Sequence, residues 1–296
     1  MRWRGREQSA NVEDRRGMRP RAAVGGGMGI LGLILLFVLA GGDLNKFLGL
    51  VQQQQQQQGQ FQPEEQPGDP NLTQQEKDWG DMVAVVLRDT EVVWGSLLPQ
   101  LPGELATQYR EPTLVLFKQA TQSGCGFASA QTGPFYCPAD QKVYIDLGFF
   151  TEMQQRFDAP GDFAQAYVVA HEVGHHVQNL LGITDLVHSK NGRVSQEEYN
   201  QWSVRLELQA DFLAGVWGHH AERNWDILEE GDIEEAINAA QAIGDDRLQK
   251  QAQGYVVPEN FTHGTSKQRM RWFYEGLKSG DVSELMVLFE LPYREL

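Results

Sequence analysis

The chain has 296 residues, enough for one globular domain of ordinary size and some accessory segments. Hydrophobic residues make up 41% of it and it contains seven Trp, which suffices for a core. The formal net charge of −15 is unevenly distributed, because residues 1–22 carry seven Arg against three acids and leave −19 for the rest. An acidic main domain argues against nucleic acid as a partner.

An uncharged segment of 21 residues runs from Ala22 to Gly42. As a helix it would span about 31 Å, close to the hydrocarbon thickness of a bilayer. We therefore predict a transmembrane helix at 23–42, preceded by a basic cytoplasmic N-terminus at 1–22. Because the arginines lie on its N-terminal side, the positive-inside rule places the following domain outside the cell membrane. The alternatives are a cleaved signal peptide and a buried core helix.

A linker predicted at 43–70 follows the apolar segment. It contains seven consecutive Gln and several Pro, and it has too few apolar residues to offset the entropy cost of ordering. We interpret it as a tether between the membrane and a domain at 71–296. The alternative is a glutamine-rich self-association segment.

The domain reads as predominantly helical α+β with a small sheet. Apolar periodicity predicts strands at 113–117 and 142–146. It predicts helices at 73–98, 148–157, 161–181, 195–221, 231–243, 265–279 and 281–289.

The chain has two cysteines, Cys125 and Cys137, which flank a short loop. In an oxidising compartment a disulfide closing this loop would contribute roughly 3 kcal/mol. The alternatives are two unrelated thiols or half of a metal site. The predicted topology favours the disulfide.

The sequence His171-Glu172-Val173-Gly174-His175 places two imidazoles four residues apart. On a helix they point about 40° apart, so both can reach one ion. Glu172 points roughly 100° away, towards the position of a metal-bound water. The flanking residues are apolar enough to bury the helix, where charged residues are rare unless they are paired or ligating. The alternative is a histidine pair satisfied within the core.

A third ligand must come from elsewhere, since Gln178 and Leu181 occupy the positions of the glycine and third histidine in the extended form of this motif. Glu207 is the best-placed candidate, on a second largely apolar helix. Asp211, one turn further along, would accept the outer N–H of a ligand histidine. An ordinary solvated acidic pair is the alternative. Weaker candidate ligands are His176, His188, His219 and His220.

Nearly the whole chain resembles a bacterial family of membrane-anchored neutral zinc metallopeptidases. Besides the two motifs, the resemblance rests on Met1-Arg-Trp-Arg-Gly-Arg, Asn11-Val-Glu-Asp-Arg-Arg-Gly17, Cys125-Gly-Phe-Ala, Phe135-Tyr-Cys-Pro, Tyr144-Ile-Asp-Leu-Gly148 and Phe261-Thr-His-Gly-Thr-Ser-Lys-Gln-Arg269. The Glu-x-x-x-Asp spacing is also similar to that of gluzincin peptidases. The resemblance implies a zincin-like domain in which Zn²⁺ is bound by His171, His175 and Glu207, with Glu172 as the general base.

Two further expectations come from this resemblance. Such peptidases place an edge strand above the metal cleft, where an extended substrate adds as another strand. We take Val143–Asp146 as the candidate edge, with a plain hairpin strand as the alternative. A His or Tyr donates to the oxyanion, and we assign this catalytic role to His263, with Tyr255 and Tyr274 as competitors. In the alternative reading His263 only lies near a helix that Thr262 or Thr265 caps.

The sequence therefore predicts a membrane-anchored zinc metallopeptidase. It would hydrolyse peptide or protein substrates through a zinc-activated water, with Glu172 taking the proton. Two alternatives stay open. One is a non-catalytic, zinc-containing, membrane-tethered binding protein. The other is a cell-wall amidase, although the sequence shows no recognisable glycan-binding module.

Overall fold

The computed structural model describes residues 1–17, 72–129, 132–156 and 159–296. The membrane span predicted at 23–42 and the whole linker predicted at 43–70 lie outside the described residues, so both stay predictions. Among the described residues, no helix has both the length and the hydropathy that crossing a membrane requires.

Helices dominate the described residues beside a small sheet, which confirms the predominantly helical α+β class. In chain order the helices are α1 (Gln74–Leu97), α2 (Gly148–Gln155), α3 (Asp162–Leu180), α4 (Ile183–His188), α5 (Gln196–Trp225), α6 (Asp232–Ala242), α7 (Asp245–Gln253), α8 (Ser266–Ser279) and α9 (Val287–Glu290). Helices α4 and α7 were not predicted. The first is only six residues long and the second is polar, so neither has a clear apolar period.

The strands are β1 (Val12–Asp14), β2 (Thr113–Phe117), β3 (Ala120–Ser123), β4 (Gly126–Ser129), β5 (Phe135–Cys137) and β6 (Lys142–Asp146). One sheet has the order β1-β2-β6-β5, with β5 antiparallel to β6 and the other neighbours parallel. Strands β3 and β4 form a separate hairpin. A disulfide joins Cys125, next to this hairpin, to Cys137 in β5.

The two faces of the larger sheet bury different clusters, as the two-residue period of a strand requires. Leu116 and Ile145 face the main core, which the helices complete. Val115 and Tyr144 face a second, smaller cluster that also contains Cys137. The sheet is thus buried on both sides near the centre of β2 and β6.

The prediction that Val143–Asp146 forms an edge of the sheet is wrong. Val143–Asp146 lies in β6, which pairs with β2 on one side and β5 on the other, so β6 is an internal strand. Strand β5 is the edge instead. β6 contains an apolar run, Val143-Tyr144-Ile145, that marks a strand but does not show which strands lie beside it, and the three residues of β5 are too few to mark a strand at all.

Helix α5 is the central helix, and it packs against α3 on one side and α8 on the other. The contact with α8 is close because glycines meet backbone there. A Cβ at Gly276 would lie 2.0 Å from the carbonyl oxygen of Phe212, and one at Gly215 would lie 2.1 Å from that of Phe273. This close crossing fixes the position of α8 against the middle of α5.

The N-terminal segment packs with the domain, although the sequence predicts it as a separate cytoplasmic segment. Residues 1–15 and 70–296 belong to one unit. Strand β1 extends the sheet, and the amide of Leu114 donates to the carbonyl of Asn11 at 2.8 Å. Trp3 is buried in the main core.

Candidate metal centre

His171 and His175 lie on the same face of α3, with ring centroids 4.8 Å apart. Both belong to a helix whose apolar residues are almost completely buried. The four-residue spacing predicted this pairing, because residues i and i+4 are neighbours on a helix surface.

Gly174 lets α5 approach this face of α3. A Cβ at position 174 would lie 3.0 Å from the carbonyl oxygen of Ala210, which is closer than ordinary van der Waals contact. Glu207 and Asp211 flank Ala210 on α5, so the close approach brings both acids to the histidines. The sequence alone showed a helical glycine that costs about 1 kcal/mol relative to alanine.

The ligand atoms of His171, His175 and Glu207 all lie within 4.8 Å of one another. Glu207 Oε2 is 3.4 Å from His171 Nε2, and Glu207 Oε1 is 3.5 Å from His175 Nε2. In a tetrahedral zinc site with bonds of about 2.0–2.1 Å, ligand atoms are separated by about 3.4 Å. The donor set and its spacing therefore fit a zinc ion.

Asp211 holds the outer nitrogen of His171. Its Oδ1 is 2.8 Å from His171 Nδ1, so the ring donates from Nδ1 and Nε2 faces the centre between the three ligand residues. Asp211 is itself fixed by Arg269, whose Nε and Nη2 donate to Oδ2 and Oδ1 at 2.8 and 2.9 Å. The hydroxyl of Tyr167 adds a third donor at 2.5 Å.

Gln178 has the same role for His175. Its Oε1 lies 2.8 Å from His175 Nδ1, and its Nε2 donates to the carbonyl of Leu206 and to Gln209 Oε1. Both ligand histidines thus have a buried acceptor on the outer nitrogen. In the sequence Gln178 stands out only as a departure from a longer motif, although its i+3 spacing from His175 is a usable signal.

Arg269 and Tyr167 were not predicted as parts of the site. Arg269 is 2% exposed, which is unusual for arginine and is explained by its pairing with Asp211. In the sequence it lies in the first turn of a helix with an ordinary amphipathic pattern. Only the crossing of α8 over α5 shows that it points inwards.

The carboxylates of the cluster favour positive charge on the histidines between them. Burial alone would lower the pKa of His171, but the carboxylates of Asp211 and Glu207 outweigh it and raise that pKa to about 9. Burial alone would raise the pKa of Glu207, but the two histidines hold it well below its usual range. A divalent cation at the centre would take the place of the imidazole protons.

A cavity of about 480 Å³ opens onto the three ligand residues. Glu172 lines it beside them and is 8% exposed. Other lining residues come from the β4–β5 connection, from β5 and from several helices: Thr132, Gly133, Pro134, Phe135, Tyr136, Tyr167, His188, Ile243, Leu248, His263 and Arg269. The volume is in the usual range for a ligand site.

His263 lines the same cavity, on the loop before α8. Its Nδ1 lies 3.2 Å from Asp245 Oδ1, while Asp245 Oδ2 accepts the backbone N–H groups of Thr262, His263 and Gly264. Asp245 therefore fixes both the loop and the ring. Thr265 caps α8 through a reciprocal capping box with Gln268, so the predicted cap is also present.

The other candidates are placed elsewhere. Tyr255 and Tyr274 are exposed and do not line the cavity. His219 and His220 contact the backbone carbonyls of Leu277 and Gly280. His176 is fully buried on the neighbouring face of α3, and His188 lines the cavity without joining the ligand cluster.

Two histidines and a glutamate, on two helices of an α+β domain, form the His₂Glu ligand set known from catalytic zinc sites. A family model described as "Putative neutral zinc metallopeptidase" matches residues 1–286. The chain belongs to that family, as its sequence motifs indicated.

Relatives of this chain are known from several bacteria. "Uncharacterized protein YpfJ" of Escherichia coli (strain K12) is 46% identical over 291 residues, which cover 96% of this chain and 97% of that protein. "Uncharacterized protein Rv2575" of Mycobacterium tuberculosis (strain ATCC 25618 / H37Rv) is 42% identical over 203 residues, or 64% of each chain. No solved structure matches the chain significantly.

Proposed function

We propose that this protein is a zinc-dependent metallopeptidase with a zincin-like domain. The observation that carries the proposal is the spacing of 3.4 and 3.5 Å from the two oxygens of Glu207 to His171 Nε2 and His175 Nε2, at the wall of a cavity. The family description supports the same class of activity.

Glu172 is the proposed general base. Zinc bound by the three ligand residues would polarise the scissile carbonyl and acidify water. The Glu172 carboxylate accepts a proton from the attacking water and then delivers it to the nitrogen of the leaving amine. The position of Glu172 supports this role. It directly follows the ligand His171 on α3, so it lines the cavity but is not one of the three ligand residues.

His263 is the proposed donor to the oxyanion that forms as the carbonyl is attacked. Its position in the cavity wall and its contact with Asp245 support this role. The Asp245 carboxylate raises the pKa of His263, which favours the ring as a proton donor.

Strand β5 is the proposed binding edge for the substrate. It forms one edge of the sheet, and Phe135 and Tyr136 line the cavity. An extended peptide could pair with the outer side of β5 and lie across the ligand residues.

The test compares wild type with Glu172→Gln and with a control, Glu275→Gln, at an exposed glutamate of α8. Zinc content is measured first, followed by cleavage of a peptide library. We expect all three proteins to bind one zinc ion. Glu172→Gln should lose at least about two orders of magnitude in turnover, the usual contribution of a general base. Equal cleavage by Glu172→Gln, or none by zinc-loaded wild type, would reject the proposal.

A further inference from the structure

The edge strand β5 is bonded to the helix that carries the metal ligands. Tyr136, the middle residue of β5, points towards α3, whereas its neighbour Phe135 stacks on Tyr144 on the opposite face of the sheet. The Tyr136 hydroxyl lies 3.0 Å from His176 Nδ1 and 3.1 Å from Asn179 Nδ2. Both partners follow the ligand His175 within about one turn of α3.

The direction of each bond in this group can be assigned. His176 Nε2 lies 2.6 Å from the carbonyl of Arg110, so Nε2 carries the proton and Nδ1 is an acceptor. The Tyr136 hydroxyl therefore donates to His176 and accepts from Asn179. The Tyr136 hydroxyl and both ring nitrogens of His176 thus have partners, which makes the contact a defined link between strand and helix.

We propose that Tyr136 is a positioning residue. Its hydroxyl fixes the distance between β5 and His175, so that a peptide paired with β5 presents one carbonyl to the ligand residues. This inference rests on the proposed peptidase function. It assigns a purpose to His176, which the ligand set does not use.

The test is Tyr136→Phe, with Tyr144→Phe on β6 as a control, since the Tyr144 hydroxyl is also hydrogen-bonded, to Asp140 at 2.6 Å. Hydrogen exchange of the β5 amides is measured in both variants without substrate. KM and kcat are then measured with an octapeptide that can pair along β5 and with a blocked dipeptide that cannot.

We expect faster exchange of the β5 amides in Tyr136→Phe, with zinc content unchanged. KM for the octapeptide should rise about tenfold, the order expected when the hydrogen bonds of one hydroxyl are lost, while the dipeptide values stay at wild type. Wild-type exchange, or equal losses for both peptides, would overturn the inference. Failure of zinc-loaded wild type to cleave either peptide would instead reject the peptidase function, and the substrate part of this inference with it.

Arginines near the N-terminus pair with acids of the domain. Arg4 contacts Asp78 at 3.0 Å, and Arg6 contacts the buried Asp89 at 2.5 Å. The backbone is also held, because the amide of Ser9 donates to the carbonyl of Ala84 at 3.0 Å. With β1 in the sheet, these contacts make residues 2–15 an integral part of the fold.

We infer that residues 2–15 and residues 72–296 occupy the same compartment. A chain that crossed a bilayer once between them would place the two parts on opposite sides and could not form these contacts. Four of the arginines counted by the positive-inside rule, Arg2, Arg4, Arg6 and Arg15, also have partners within the domain. The topology predicted from the sequence has a cytoplasmic N-terminus and an external domain, and this inference is the alternative to it.

The test uses full-length protein with a single added cysteine, Ala10→Cys or Ala252→Cys, both at exposed positions. Wild type, with both cysteines in the disulfide, gives the background. Spheroplasts are treated with a membrane-impermeant maleimide, and detergent-treated samples show full labelling. We expect both positions to be labelled, or both protected, before detergent. Labelling of one position and protection of the other would overturn the inference.

Discussion

Asp211 Oδ1 lies 2.8 Å from His171 Nδ1, and this contact joins the candidate metal ligand to a buried guanidinium. The chain of contacts runs from His171 through Asp211 to Arg269. It spans α3, α5 and α8, so the orientation of one ligand depends on the packing of three helices.

Asp211→Asn should weaken zinc binding by about 10- to 100-fold, the usual effect of losing an outer partner of a ligand histidine. The amide keeps the shape of the carboxylate but loses the charge that orients His171. Competition with a chromophoric zinc chelator measures the change. Asp226→Asn, at an acid whose side chain is 81% exposed, is the control and should bind zinc like wild type. Equal affinity in both variants would show that Asp211 does not orient the ligand.

Arg269→Ala should lower the free energy of unfolding by about 3–5 kcal/mol, because it leaves the buried Asp211 carboxylate without its charge partner. Arg271→Ala, two residues along α8 and exposed, should change it by less than about 1 kcal/mol. Urea unfolding of the zinc-free proteins measures both. A small effect at position 269 would mean that the buried pair relaxes or becomes hydrated.

Gly174→Ala should lower the stability by about 1–3 kcal/mol, since the new methyl group would press against the backbone of Ala210. It should also weaken zinc binding, because α5 carries Glu207. Gly95→Ala is the matched control on α1, where a Cβ would meet nothing within 4 Å. There the better helix propensity of alanine should raise stability by up to about 1 kcal/mol. Similar thermal shifts in the two variants would contradict the close approach at Gly174.

His176 should make stability depend on pH. Burial lowers its pKa to about 4 from an ordinary value of 6.5, against the opposing effect of its bond to the Arg110 carbonyl. The folded state then binds fewer protons than the unfolded state between these values, so stability falls as pH falls through this window. The difference corresponds to roughly 3 kcal/mol. In urea unfolding at pH 7 and pH 4.5, His176→Gln should lose less stability than wild type, and parallel profiles would contradict the prediction.

Much of the local structure could be predicted from the sequence. The spans of β2 and β6 followed from short runs of apolar residues, and those of the larger helices followed from a 3.6-residue period, which reports the face of a helix that is buried. The pairing of His171 with His175 followed from helix geometry alone. Glu207 and Asp211 were proposed as partners because acids on an apolar helix need a partner of their own.

Tertiary structure decided which elements meet. It made β5 rather than Val143–Asp146 the edge, placed the N-terminal segment in the sheet, and brought Arg269 to Asp211 and His171. These contacts join residues far apart in the chain or depend on how two helices cross. A periodic pattern gives the direction of a side chain within its own element. The partner that it meets there is set by the packing of the whole domain.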